Sequence, residues 1–209
     1  MKISTLIDQA SKQLVDVNHV HWSREEILDY INLGLSSLVI HRPDVARKVS
    51  TVAVGANSNL VPLPVNAYTL VTINHVSGMS VAYVDINKLG QLNPGWRLET
   101  GVPCSWTRNE FDEDIAYLYP MPDQAVTVEV VYSESVQVSS ENADFPVKDI
   151  FSSVIFDYVL YRAFNKDGVA QADMSKAQHH LMLFNSAIGA KNEADAIKEQ
   201  ILQRKEQLR

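Results

Sequence analysis

The spacing of apolar residues changes period twice along the chain, from helical to near two and back again. That pattern confines the fold to helices flanking an inserted β segment. Near the start, Leu6, Ile7, Ala10, Leu14 and Val15 recur at helical spacing. Ser23-Arg24-Glu25-Glu26 then reads as a capping box, with Ser23 as N-cap and the Glu26 side chain reaching back. Trp22 and Ile27 on either side are placed to form the hydrophobic staple. Ile27, Leu28, Ile31, Leu35, Leu38 and Val39 make one apolar face, which Pro43 brings to an end.

From about residue 48 to residue 138 the period falls to near two. Val49, Thr51 and Ala53 alternate with Ser50, Val52 and Val54, and a Gly55-Ala56-Asn57-Ser58-Asn59 turn follows. The clearest strand is 126–132, where Val126, Val128, Val130 and Tyr132 alternate with Thr127, Glu129 and Val131. Further strands are expected near 68–76, 80–85, 105–108 and 115–119, with a short helix over 86–92. Helical spacing returns after Asp144. Residues 149–166 are apolar nearly all round and are expected to form the central buried helix. A second helix from about Ala170 carries Ala177, Leu181, Phe184 and Ile188 on one face. Residues 191–209 thin to Ala194, Ile197, Ile201, Leu202 and Leu208, a segment with little to pack against by itself. The expected fold class is α+β. Residues 1–47 and 139–209 form a discontinuous helical bundle, and 48–138 an inserted antiparallel β module of five or six strands.

Composition narrows the function. Lys plus Arg is 18 against 25 Asp plus Glu, a net charge of −7, the opposite of the basic excess by which a free nucleic-acid binder neutralises phosphates. The single cysteine, Cys104, can form no internal disulfide and no cysteine-based zinc site, which suits a reducing compartment. The first residues lack a signal-peptide core, since Asp8 interrupts them, and no apolar run is long enough to span a membrane. Residues 49–84 contain no Asp, Glu, Lys or Arg, yet their Pro, Gly, Asn, Ser and Thr mark strands and turns. So long an uncharged stretch is expected to lie partly at an interface with another subunit or partner.

The candidate chemistry is weak. His19 and His21 form an H-x-H pair, but no third ligand at useful spacing accompanies them, and the adjacent His179 and His180 point apart on a helix. The acidic cluster Glu110, Asp112, Glu113, Asp114 lacks calcium-loop spacing and reads as a solvated hairpin loop. Cys104 reads as a small buried residue beside a strand. Trp96, Trp106, Tyr117 and Tyr119 could stack on bases, but only Lys88, Arg97 and Arg108 supply positive charge between Lys48 and Lys148, so core packing is the better reading. Asp157 and Arg162 are five apart on the central helix and are expected to face another helix or subunit. No nucleophile elbow, P-loop or dinucleotide fingerprint is present, and nothing calls for a cofactor.

Several short motifs keep a fixed order. Leu6-Ile7-Asp8 and Trp22-Ser23-Arg24-Glu25-Glu26-Ile27-Leu28 lead into Ile31-Asn32-Leu33-Gly34 and Arg42-Pro43-Asp44-Val45. Leu63-Pro64, Val84-Asp85 and Leu92-Asn93-Pro94-Gly95-Trp96 follow, then Tyr119-Pro120-Met121-Pro122 ahead of the 126–132 strand. The run Asp157-Tyr158-Val159-Leu160-Tyr161-Arg162-Ala163-Phe164-Asn165-Lys166-Asp167, with Ala177 and Phe184 beyond it, completes the set. In these residues the chain resembles the adaptor, or head-to-tail connector, proteins of tailed bacteriophages, which attach the tail to the portal ring.

The resemblance implies a non-enzymatic structural protein of the virion, at the head-to-tail interface and assembled in the host cytoplasm. It implies a dodecameric ring that docks on the portal protein, meets a tail or nozzle protein, and passes double-stranded DNA without binding it specifically. It needs no cofactor and no membrane. Connector proteins of this kind often grip the portal with a C-terminal segment, which implies Ile197, Ile201 and Leu208 as apolar anchors and Arg204 and Lys205 as partners of portal carboxylates. Two other classes remain as alternatives: a tail hydrolase using carboxylates near Asp112, and a single-stranded nucleic-acid binding module using the aromatic β residues.

Overall fold

The computed structural model describes residues 1–109, 111–112, 114–166 and 171–206, with side chains for these except 171 and 190–206. In chain order the elements are α1 (Ile3–Gln13), α2 (Arg24–His41), β1 (Arg47–Val54), β2 (Leu60–Val61), β3 (Ala67–Val76), β4 (Met79–Ser80) and β5 (Ala82–Tyr83). Then come α3 (Ile86–Leu92), β6 (Thr100–Gly101), β7 (Ser105–Arg108), β8 (Ala116–Tyr119), β9 (Met121–Pro122), β10 (Val126–Glu134), α4 (Ser152–Lys166) and α5 (Gln171–Glu206). The chain is α+β. It divides into a helical unit, Met1–Val45 with Val136–Arg209, and a β unit, Ala46–Ser135.

In the helical unit, α1, α2 and α4 pack on one another and α5 packs on α4. Their core is Ile3, Leu6, Ile7 and Ala10 of α1, Ile27, Ile31, Leu35 and Leu38 of α2, Ile155, Val159, Leu160 and Ala163 of α4, and Phe184 and Ile188 of α5. The N-terminus of α1 has no side-chain cap. Its first free amides go instead to the returning chain: Ile3 N–H donates to the Ala143 carbonyl at 3.1 Å and Ser4 N–H to that of Glu141 at 2.8 Å. The Asn32 side chain both donates to and accepts from the Val138 backbone, at 2.9 and 2.8 Å, and so fixes that segment to α2.

The capping box at α2 forms by half. Ser23 Oγ accepts from the Glu26 amide at 3.1 Å, but the Glu26 carboxylate does not reach back to the N-cap. It accepts from Tyr30 at 2.6 Å and from Lys166 at 2.7 Å, because the end of α4 brings a cation within reach. Midway along α2, Gly34 lets α4 approach: a Cβ there would sit 3.1 Å from the Tyr158 ring. Gly34→Val is therefore expected to lower stability by about 1–3 kcal/mol, read as a fall in the denaturant midpoint at unchanged slope.

The central helix is less enclosed than its composition suggests. Only Ile155, Val159, Leu160 and Ala163 of α4 are fully buried. Phe164 is half-buried, and Ile150, just ahead of α4, is 77% exposed. One helix can direct only part of its circumference at α1, α2 and α5. Val15 also departs from its expected face. It follows α1 with φ at 59° and points into solvent.

Among its described residues the β unit holds ten strands, from two to ten residues long, rather than five or six. One sheet has the order β1-β10-β3-β4, a second β2-β8-β7-β5, and a third pairs β6 with β9. The module is not wholly antiparallel, since β5 runs parallel to β7 and β6 to β9. Val54, Leu70, Ile73, Val76, Val128, Val130 and Tyr132 of the first sheet meet Val61, Trp106, Ala116 and Leu118 of the second in one core. Along β10 the expected alternation breaks at three register shifts, so Val130, Val131, Tyr132 and Ser133 are buried in succession.

Candidate interaction surfaces

The longest surface element is α5, a single helix of 36 residues, about 54 Å, against 15 residues and about 22 Å for α4. Apolar and polar contacts fix its register. Lys176 lies over the Phe164 ring at 5.0 Å, and His180 Nδ1 is 2.9 Å from Asp157 Oδ1 with its ring stacked on Phe164. One turn further on, Phe184 is tilted against Tyr158 at 4.9 Å. The two helices therefore run antiparallel, and by roughly residue 192 α5 has passed the first residue of α4. Asp157 faces α5, while Arg162 lies over the Tyr30 ring of α2 at 5.6 Å. Asp157 and Arg162 of the central helix thus each face a neighbouring helix, as expected of them.

The residues expected to contact the portal fall beyond that point. Ile197, Ile201, Arg204 and Lys205 lie on the backbone of α5, outside the residues whose side chains are described, and Leu208 lies outside the described residues altogether. Ile197, Ile201 and Arg204 are four and then three apart in sequence, the spacing of one helix face.

At the other end of the helical unit, the α1–α2 loop is held by a clamp. The Asp16 carboxylate accepts from three backbone amides, those of Val20, His21 and Trp22, each at 2.9 Å. The His19 ring lies 3.3 Å from Ser11 Oγ, 3.2 Å from the Trp22 carbonyl and 3.0 Å from Arg24. Arg24 in turn binds Asp8 at 2.8 Å and Glu141 at 2.6 Å. Lys166 donates to the His21 carbonyl at 3.1 Å, which places the end of α4 beside this loop. The first histidine of the H-x-H pair thus ties the loop to Ser11, Arg24 and the Trp22 carbonyl, a set of partners that spacing alone does not reveal.

The amides of Trp22, Val20 and His21 hold the Asp16 carboxyl below its ordinary value of 3.8. A depressed carboxylate pKa contributes stability that is present above the unfolded value and is lost as pH falls through the folded one. Acidification below about pH 4 is therefore expected to lower the thermal midpoint, and Asp16→Asn to flatten that dependence. A thermal melt series in acid, wild type against variant, reads it.

The described carboxylates weighed for catalysis are engaged by backbone amides. Asp112 Oδ1 accepts from the Asp114 amide at 3.1 Å, and Asp114 Oδ1 from the Leu70 amide at 3.3 Å. These carboxylates hold the β7–β8 loop, while Glu110 and Glu113 lie outside the described residues. Cys104 is exposed, contrary to expectation; it lies just ahead of β7, whose Ser105, Trp106 and Thr107 are all buried. Among the described residues no group of three or more His, Cys, Asp or Glu could hold a metal ion. Trp96 and Trp106 are buried, and Arg97 lies between the Trp96 and Tyr117 rings at 5.1 and 5.2 Å, so these aromatics pack rather than form an open stacking face. Arg108 lies over Trp106 and donates to the Val71 carbonyl. No described helix is long and apolar enough to cross a membrane.

The hydrogen bonds and ion pairs described above hold the fold, and the elements left over are surfaces: a long helix at one end of the helical unit and a clamped loop at the other. A family model described as SU10 adaptor protein matches residues 1–204. The chain belongs to that phage head-to-tail adaptor family. Comparison with curated proteins finds no match. As an adaptor, the protein has a structural role in the phage particle, in contact with other head and tail proteins. The adaptor's match takes in both units and nearly all of α5, including Ile197, Ile201 and Arg204.

Proposed function

We propose that twelve copies of this adaptor form a ring that docks on the portal protein, joins a tail or nozzle protein on its other side, and lets double-stranded DNA pass through without specific binding. The ring sits at the head-to-tail interface of the virion and is assembled in the host cytoplasm. The observation that carries this reading is the continuity of α5, whose helix runs on well past the partner it packs against. A helix end that leaves its own bundle is an element for engaging another chain. The contacts proposed for the portal are Ile197, Ile201 and Leu208 as apolar anchors, with Arg204 and Lys205 meeting carboxylates. A net charge of −7 suits a conduit, since a basic lumen would hold the phosphates of passing DNA. The hydrolase alternative is weaker, because Asp112 and Asp114 are engaged by backbone amides of their own module.

The test is to mix the purified protein with portal-bearing heads, sediment them, and image the pellet by negative stain. The expected result is co-sedimentation and a twelve-fold ring at the portal vertex. Protein that stays in the supernatant overturns the reading.

A further inference from the structure

Three valines of the α1–α2 loop lie in water: Val15 is 89% exposed, Val17 64% and Val20 86%. Isolated apolar residues are ordinary on a protein surface, but three exposed valines within six positions of one loop are a local concentration of apolar surface. The loop is not slack. The Asp16 carboxylate takes three of its amides, His19 ties it to Ser11 and Arg24, and Lys166 ties it to α4. Val15 also sits at φ 59°, a left-handed conformation that is unfavourable for a β-branched side chain. Backbone strain of this kind persists where surrounding contacts over-determine it, and it concentrates at functional sites. Here its result is that apolar side chains are held outward.

We propose that this valine loop is the adaptor's contact with its tail-side protein, seating Val15, Val17 and Val20 in apolar sockets of that partner. The proposal rests on the ring reading above, and three features single out this occupant.

The first is position. The loop lies beside the end of α4, at Lys166, whereas α5 leaves the bundle past the start of α4. If the far end of α5 engages the portal, the valine loop faces away from it, toward the tail.

The second is charge. Asp16 is engaged by amides, Lys166 by Glu26 at 2.7 Å, and Arg24 by Asp8 and Glu141. With these three charges already paired, what the loop tip offers a partner is its valines, which an uncharged surface matches better than a nucleic acid or an acidic peptide does.

The third is area. Three valines cover far less than the roughly 800 Å² per partner of a stable pairwise interface. A second copy held by this loop alone would therefore dissociate. A partner reached by many copies at once gains by multivalency. The clamp serves that use, since a loop already fixed in its bound shape adds little ordering cost at each contact.

The experiment loads portal-bearing heads with wild-type protein, with the triple variant Val15→Ser, Val17→Ser, Val20→Ser, or with Val15→Asn, and then adds purified tails. The triple variant is expected to form rings on heads as the wild type does, and to join tails at least about 100-fold more weakly. Asn tolerates the left-handed region, so Val15→Asn is expected to raise the thermal midpoint while weakening tail joining. A loop with only a structural role would not produce that opposed pair of changes. Wild-type protein that never attaches to heads overturns the ring reading. Rings of the triple variant that join tails as tightly as the wild type overturn the valine loop alone. Should the triple variant fail to fold, Val15→Asn decides: unchanged tail joining overturns the proposal, and a loss alongside a raised midpoint supports it.

Discussion

Protein ending at Lys191 is expected to remain folded but no longer to sediment with portal-bearing heads. The fold is expected to survive the cut because the buried residues among the described side chains of α5, namely Ala177, Phe184 and Ile188, all precede it. By its register with α4, the helix beyond that point has no length of α4 left to pack on. Attachment is lost because the proposed anchors Ile197, Ile201 and Leu208 go with the cut. Each is an apolar side chain worth about 1.5–3 kcal/mol when fully buried. Even two of them amount to a loss of at least about 100-fold in affinity per copy, and a ring multiplies that loss through avidity. Circular dichroism and a thermal melt verify the fold, and sedimentation with heads reads attachment. Truncated protein that binds heads as tightly as the full chain would place the portal contact elsewhere in the helical unit or in the β unit.

Phe184→Ala produces the largest loss of stability expected from a single side chain. Phe184 is 1% exposed and its ring lies against Tyr158 at 4.9 Å, so truncation leaves a cavity between α5 and α4. The expected cost is about 3–5 kcal/mol, a large part of the stability of an ordinary domain. Phe164→Ala is the matched control. Phe164 is half-buried and stacks on His180 at 5.9 Å, so its removal costs about 1 kcal/mol, mainly the lost ring contact. Denaturant unfolding followed by circular dichroism measures both. Equal costs for the two variants would mean that the α4–α5 seam is not centred on Phe184.

These two phenylalanines also mark how far the sequence could be read. Phe184 belongs to a helical stripe with Ala177, Leu181 and Ile188, and periodicity alone places it inward. Phe164 sits among apolar residues on every side of α4, and no periodicity distinguishes its face. Only the arrival of α1, α2 and α5 on particular sides decides that Val159 is buried and Phe164 half-exposed. The β unit divides in the same way. The alternating residues of β10 read directly as a strand, and the short helix α3 lies over the residues expected of it. The parallel pairings of β5 with β7 and of β6 with β9 bring together segments about 20 residues apart, and no turn chemistry announces them. The valine loop was not legible, since its first valine, Val15, reads as part of the helical stripe of α1. Its clamp depends on the left-handed turns at Val15 and His19, which no glycine signals.

By itself the sequence determined what acts within a turn or two of helix or along one strand. Ser23 reaches the Glu26 amide three residues on, and the apolar stripes of α2 and α5 repeat every three or four positions. Helix–β–helix order, the absence of a catalytic motif and the family resemblance all follow from patterns of that range. Tertiary structure decided whatever depends on partners far away in sequence. Glu26 turns from its own N-cap to Lys166, 140 residues later, and Arg24 crosses 117 residues to Glu141. Cys104 faces outward, and three valines stand in water on a loop fixed by Asp16, His19 and Lys166. The physical reason is range: backbone propensity and side-chain period act over a few residues, whereas burial and charge pairing are settled only when distant segments meet.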